Sequence, residues 1–134
     1  MRYLLAFPVT VLPLAVYIAL AGTTDWNAVV YSTRMLSGSL FQLTAGQALV
    51  GFSIAMLFVE VVKATRTGFA PIVDHVLSTV VALAYIVLFI VHAPAATGVF
   101  ALLMLTALAD LVAGFWISLN VARRDVAISP GGSF

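Results

Sequence analysis

Four apolar blocks separated by short polar intervals set the pattern of this chain, over residues 4–21, 40–62, 72–91 and 98–121. Each is long enough for a helix rising ~1.5 Å per residue to cross most or all of a ~30 Å hydrocarbon core. The pattern therefore predicts four transmembrane helices. In the third block, His75, Ser78, Ala82, Tyr85, Phe89 and His92 recur at steps of three and four and share one helix face. In the second, Thr44, Ala48, Gly51 and Ala55 do the same and form a stripe of small residues that another helix can approach closely.

The punctuation between blocks adds detail. Pro8 suits the first turn of a helix, whereas Pro13 predicts a kink that frees the carbonyl of Val9. Ala19-Leu20-Ala21 has the small residues of a signal-peptidase site, but the apolar run exceeds the usual h-region, so the block is read as a retained helix. Gly22 to Ser39 is the longest polar interval. Asp25 is placed there to cap a short helix lying at the membrane surface, and Trp26 and Tyr31 suit headgroup depth. Lys63 to Pro71 reads as a short basic turn, with Asp74 in the first turn of the third helix, where the helix dipole favours an acid. The short uncharged turn Ala93 to Thr97 makes the third and fourth helices antiparallel neighbours. Residues 125–134, with Ser129-Pro130-Gly131-Gly132, predict a loose tail.

Composition fixes the solvent. Hydrophobic residues make up 63% of the 134 and charged residues 8%, against about 25% charged in soluble domains. A water-exposed surface cannot be built from this set. Arg2, Lys63, Arg66, Arg123 and Arg124 fall on one side of the four blocks and Arg34 on the other. The positive-inside rule then puts both termini in the cytoplasm. The expected fold is an all-α, single-domain, integral membrane bundle of four helices running up-down-up-down, N-in and C-in, in a bacterial inner (plasma) membrane.

Charge and cysteine content remove several functions. A net charge of +1 gives no basis for a nucleic-acid partner. The chain has no cysteine, which excludes disulfides, thiolate metal sites and cysteine nucleophiles. It has no glycine-rich phosphate loop, no nucleophile elbow and no histidine pair at metal spacing. The expectation is a protein that is not an enzyme and holds no cofactor or metal. Haem is a minor alternative. His75 and His92 share one helix about 25 Å apart, so a single chain cannot pair them on one iron.

Candidate chemistry centres on Asp110, near the middle of the fourth block. An acid at bilayer mid-depth costs about 2.5–3.5 kcal/mol on insertion scales and must face protein or water. Depth arithmetic brings Tyr85, Gln47 and Thr106 within about one turn of it. The four form a candidate intramembrane polar site: either a relay or pocket floor, or an interhelical hydrogen-bond cluster that fixes packing. Glu60, Asp74 and His75, with Lys63 beside them, form a second group at the cytoplasmic end. It reads either as a proton entry or as interfacial ion pairs.

The second and fourth blocks also share Thr-Ala, Leu-Val, Gly-Phe and Ile once one residue is inserted, as between Thr44–Ile54 and Thr106–Ile117. Parallel repeats give such a pattern, and so does chance in a small alphabet. Two functional classes follow. The first is an accessory or scaffold subunit that binds a membrane partner or a second copy of itself through helix packing. The alternative is an oligomeric proton- or ion-coupled transporter or channel-like protein using Asp110.

Overall fold

The computed structural model describes residues 7–65 and 70–128. Its elements are α1 (Val11–Leu20), β1 (Val29–Arg34), β2 (Leu40–Thr44), α2 (Ala45–Ala64), α3 (Ala70–Val91), a 3-10 turn (Ala93–Ala95) and α4 (Gly98–Ile128). Together they form a helical bundle with a two-stranded antiparallel hairpin at one end. α4 is central and packs along both α2 and α3, with α1 against α2 and α4. Successive helices alternate in direction. Before α1, Phe7 and Val9 meet Lys63 and Glu60 near the end of α2. After α1, the Trp26 carbonyl meets Gly46 at the start of α2. The bundle therefore has a Lys63 end and a hairpin end.

Among the described residues, three helices carry stretches long and apolar enough to span a membrane: Ala45–Ala64, Val73–Val91 and Gly98–Ile117. The first block differs from its expected form. Residues 4–6 lie outside the described residues, and α1 has only 10 residues, about 15 Å of helix. The two prolines explain its late start. The chain turns through Pro8–Thr10, where the Pro8 carbonyl accepts from Val11 N–H at 3.3 Å and the Val9 carbonyl from Leu12 N–H at 3.0 Å. Pro13 then falls in the first turn of α1, among the positions whose N–H has no intrahelical acceptor. The proline helps to start this helix instead of kinking it, and the Val9 carbonyl is not freed.

The long polar interval holds a β-hairpin instead of a surface helix. Asp25 closes a turn: its Oδ1 accepts from Asn27 N–H at 2.9 Å and its carbonyl from Ala28 N–H at 3.0 Å. The next residues, Val29-Val30-Tyr31-Ser32-Thr33, are mostly β-branched or aromatic and favour extended backbone. They pair with β2 from Arg34↔Leu40 back to Val29↔Thr44, with an irregularity between Val29 and Tyr31. At the tip the Met35 carbonyl accepts from Gly38 N–H and Met35 N–H donates to the Ser39 carbonyl, both at 2.9 Å. Gly38 has φ +83°, the left-handed geometry that a three-residue hairpin loop needs.

The second helix consequently begins at Ala45, five residues later than the apolar pattern suggests. Thr44 and Gln47 form a reciprocal capping box, the Thr44 hydroxyl accepting from Gln47 N–H and the Gln47 side chain accepting from Thr44 N–H. Ala45 and Gly46 donate to the carbonyls of Ala28 and Trp26, which satisfies two more orphan donors of the helix start. A Cβ on Gly46 would collide with Val99 and the Trp26 carbonyl, so this position sets how closely α4 and the loop approach α2.

α3 is described from Ala70, which puts Asp74 in its second turn and not its first. α4 runs on through Arg123, Arg124 and Asp125 to Ile128, four residues into the stretch expected to be a loose tail. Arg2, Arg66, Gly68 and residues 129–134 lie outside the described residues.

The buried core contains Leu14, Tyr17, Leu49, Tyr85, Phe100, Leu103 and Ala107. Tyr17 anchors its hairpin end. Its ring stacks on Trp26 at 4.7 Å and meets the edge of Phe100 at 4.8 Å. Its hydroxyl donates to the Pro94 carbonyl at 2.8 Å and lies 2.6 Å from the Thr97 hydroxyl, which must then be the donor of that pair. Thr97 also caps α4 by accepting from Phe100 N–H at 3.1 Å. One aromatic side chain thus joins α1, the 3-10 turn and the α4 start.

Candidate functional site: the Asp110 pocket

The described residues place the expected polar groups in a new grouping. Asp110 does not meet Tyr85, Gln47 or Thr106. It joins Glu60, Asp74 and His75 instead, and with Ala64, Ser78 and Gly114 they line one small cavity at the Lys63 end. The rotation of each helix, which depth alone does not specify, separates the groups. Gln47 is exposed and spent on the cap of α2. The Tyr85 hydroxyl donates to the Thr10 carbonyl at 3.2 Å, where the chain enters α1. Thr106 pairs with Ser53 at 2.5 Å and donates to the Leu103 carbonyl at 2.7 Å, so Ser53 is the donor to Thr106. That pair ties α2 to α4.

Helix periodicity builds the pocket wall from α3. Of the face expected from steps of three and four, Ser78, Ala82 and Tyr85 are buried and pack inward, and Asp74 is buried one turn before Ser78. His75, expected on that face, is only half-buried, with its ring against Phe115 at 6.2 Å between centroids. Gly114 makes room for it: a Cβ there would lie 3.0 Å from His75 Nδ1.

Lys63 organises the acids. Its ammonium lies 2.9 Å from Glu60 Oε2 and 2.9 Å from Asp74 Oδ1, and donates to the Phe7 carbonyl at 2.7 Å. Glu60 is 2% exposed and accepts through its other oxygen from Val9 N–H. The lysine and its two acids thus clamp the segment before α1 onto α2 and α3. Breaking such a buried pair from one side costs about 3–5 kcal/mol, because a charge is left unpaired.

Asp110 is outside that clamp. It is 5% exposed and faces the Ser78 hydroxyl across the pocket. Its Oδ2 is buried and has no hydrogen-bond partner among the described residues. Buried polar atoms are paired in the great majority of cases, so the unpaired Oδ2 sets Asp110 apart from the other buried polar side chains. Three carboxylates line the pocket, those of Glu60, Asp74 and Asp110, and Lys63 pairs with the first two. Among the described residues no three metal-ligating side chains converge on one point.

The sequence reading missed Ser53, Ser78 as a pocket residue, and Thr97. Ser78 was visible on the His75 face, and Thr97 as a threonine just before an apolar run, the ordinary signature of a helix N-cap.

A second concavity lies at the hairpin end, between α2, α4 and the loop before β1. It has a volume of ≈ 720 Å³, with Asp25, Trp26 and Gln47 at the polar mouth and Val50, Gly51 and Leu102 further along. The small-residue stripe borders it: Thr44 and Gly51 line the groove, Ala48 and Ala55 are exposed, and a Cβ on Gly51 would meet nothing within 4 Å. Within this chain no helix covers that stripe among the described residues. The close contact of α2 with its neighbours runs instead through Gly46, Leu49, Ser53 and Glu60.

His92 precedes the 3-10 turn at the hairpin end, at the opposite end of α3 from His75. No protein-family model matches this sequence, and no curated protein or solved structure matches it either.

Proposed function

We propose that the protein is a small integral membrane subunit that acts by holding a partner helix, from a second copy or from another membrane chain. The observation that carries this reading is the uncovered small-residue stripe Thr44, Ala48, Gly51 and Ala55 bordering an open groove on α2 and α4. In lipid, helices associate through close van der Waals packing, and small residues are what permit it. A stripe that no helix of its own chain covers is suited to a helix from outside.

The same reading places the Lys63 end in the cytoplasm of a bacterial inner membrane. Lys63 lies there, Arg123 lies on the α4 segment beyond it, and Arg34 belongs to the hairpin at the other end. Residues 7–26 cross the bundle by a turn, α1 and a loop, so the path from end to end is kept although the regular helix is short.

The test is oligomeric state in mild detergent by light scattering, with Gly51→Phe as the probe. The variant fills the groove without touching the packed face of α2. Loss of the associated species, with helix content unchanged, supports the reading. An association that is absent in wild type, in both the purified protein and native-membrane extracts, rejects it.

The transporter alternative draws on Asp110 and its orphan oxygen. Between the pocket and the hairpin end, however, the bundle is filled by Leu49, Phe100, Leu103 and Ala107. A path for ions would have to form between copies, which makes this reading depend on self-association as well.

A further inference from the structure

We infer that the Asp110 pocket is a proton-binding site that works through a single water molecule and exchanges with the Lys63 end alone. The inference is independent of whether the groove at the other end holds a partner.

Three features of the pocket carry it. The first is the orphan Oδ2 of a carboxyl that is 5% exposed. The second is space. The cavity lined by Asp110, His75 and Ser78 has a volume of ≈ 10 Å³, the lower limit for one water and too little for a larger ligand. A water there can donate to Oδ2 and complete the hydrogen bonding of that oxygen. The third is the charge count. Glu60 and Asp74 share the ammonium of Lys63, and Asp110 makes no ion pair of its own among the described residues.

The groups facing Asp110 are Glu60 and Lys63 from α2, and Asp74, His75 and the Ser78 hydroxyl from α3. Of the pocket-lining side chains on α3, His75 is the one that is half-buried while Asp74 and Ser78 are buried, so it is the one that reaches the outside of the bundle.

The transfer balances simply. A His75 imidazolium N–H gives its proton to the water, and a proton of that water passes to Asp110 Oδ2. Neutral imidazole, water and a neutral carboxylic acid result. Toward the hairpin end the next polar pair is Ser53–Thr106, and Leu49, Phe100 and Leu103 follow as apolar filling. The proton therefore returns the way it came. The site stores a proton and reports the pH on one side of the bundle.

Infrared difference spectra of the whole protein in nanodiscs, between acidic and alkaline buffer, read a protonated carboxyl directly by its C=O stretch. Wild type should give a titrating band that is lost in Asp110→Asn. Ser78→Ala should move that band to higher frequency, since the neutral carboxyl loses its hydroxyl neighbour. The second variant keeps Asp110 and serves even if Asp110→Asn does not fold. A wild type with no titrating band, a band that survives undiminished in Asp110→Asn, or one that Ser78→Ala leaves in place overturns the inference. A band suppressed by added sodium at fixed pH also overturns it, in favour of a metal-cation site.

Discussion

The Lys63 ammonium lies 2.9 Å from Asp74 Oδ1, and this ion pair fastens the end of α2 to α3 across the stretch 66–69. The same ammonium reaches Glu60 and the Phe7 carbonyl, so three separate parts of the chain depend on one side chain. Removing it leaves two buried carboxylates without a cation. Lys63→Met is therefore expected to destabilise the fold by about 3–5 kcal/mol. Asp74→Asn should cost less, because Lys63 keeps Glu60 as a partner. Chemical unfolding in detergent, followed by circular dichroism, measures both. Equal losses would mean that the Lys63–Asp74 pair carries the whole effect and the Glu60 pair none.

Gly114 and His75 offer a test of the pocket geometry that leaves its charges alone. A methyl group at Gly114 would sit 3.0 Å from His75 Nδ1 and 3.5 Å from Cε1. Gly114→Ala should push the imidazole away from the Asp110 cavity at a cost of roughly 1 kcal/mol, the ordinary size of a single-residue effect. The ring resonances of His75 should shift while those of His92, at the far end of α3, stay put. Both histidines unmoved would place the ring elsewhere.

Much of the bundle was legible in the apolar pattern because α2, α3 and α4 each hold an uninterrupted run. The hairpin was not, because Leu40-Phe41-Gln42-Leu43-Thr44 is apolar enough to pass for the start of a span. Two local signals pointed the other way: the β-branched and aromatic stretch Val29–Thr33, and the Thr44-x-x-Gln47 box that fixes the helix start. In the site, depth placed Asp110, Tyr85, Gln47 and Thr106 at similar levels, but depth says nothing of rotation. Tyr85 turns to the α1 entry and Thr106 to Ser53, while Asp110 turns to the Lys63 group. A helix-face comparison between Glu60 and Asp110 needs the crossing of α2 and α4. That crossing is set by Gly46 against Val99, a contact that no single-chain pattern encodes.

Tyr17 separates polar from aromatic anchoring at the hairpin end. Tyr17→Phe keeps the stack on Trp26 and loses the bond to the Pro94 carbonyl and the Thr97 hydroxyl. At about 1 kcal/mol for a typical bond, the expected loss is about 1–2 kcal/mol. Tyr17→Ala should cost about 3–5 kcal/mol, as large buried aromatics do, and should change the emission of Trp26. Thermal melts with tryptophan fluorescence distinguish the two. An unchanged emission in Tyr17→Ala would contradict the stack.

The cap of α2 is testable without touching the core, since Gln47 is exposed. Thr44→Ala removes the hydroxyl that accepts from Gln47 N–H and should cost about 1 kcal/mol. Gln47→Ala breaks the reciprocal bond to Thr44 N–H alone and should cost less. Because Thr44 also ends β2, amide exchange should quicken at both the last β2 residues and the first turn of α2 in the threonine variant. Exchange confined to the helix would show that strand and helix do not share the cap.

Ser53 and Thr106 decide whether the polar pair between α2 and α4 is packing or passage. Their hydroxyls lie 2.5 Å apart, and Thr106 also donates to the Leu103 carbonyl, so every proton of the pair is committed. A fully committed pair contributes to helix association and has no free donor to offer onward. A double-mutant cycle of Ser53→Ala and Thr106→Val should therefore return a coupling of about 0.6 kcal/mol, the average for interhelical bonds in membranes, and no more than about 1.7 kcal/mol. The titrating carboxyl band of Asp110 should be the same in wild type and in both single variants, because the pocket faces the other way along α4. A band that moves with Ser53→Ala would instead join the two polar groups into one path and reopen the route toward the hairpin end.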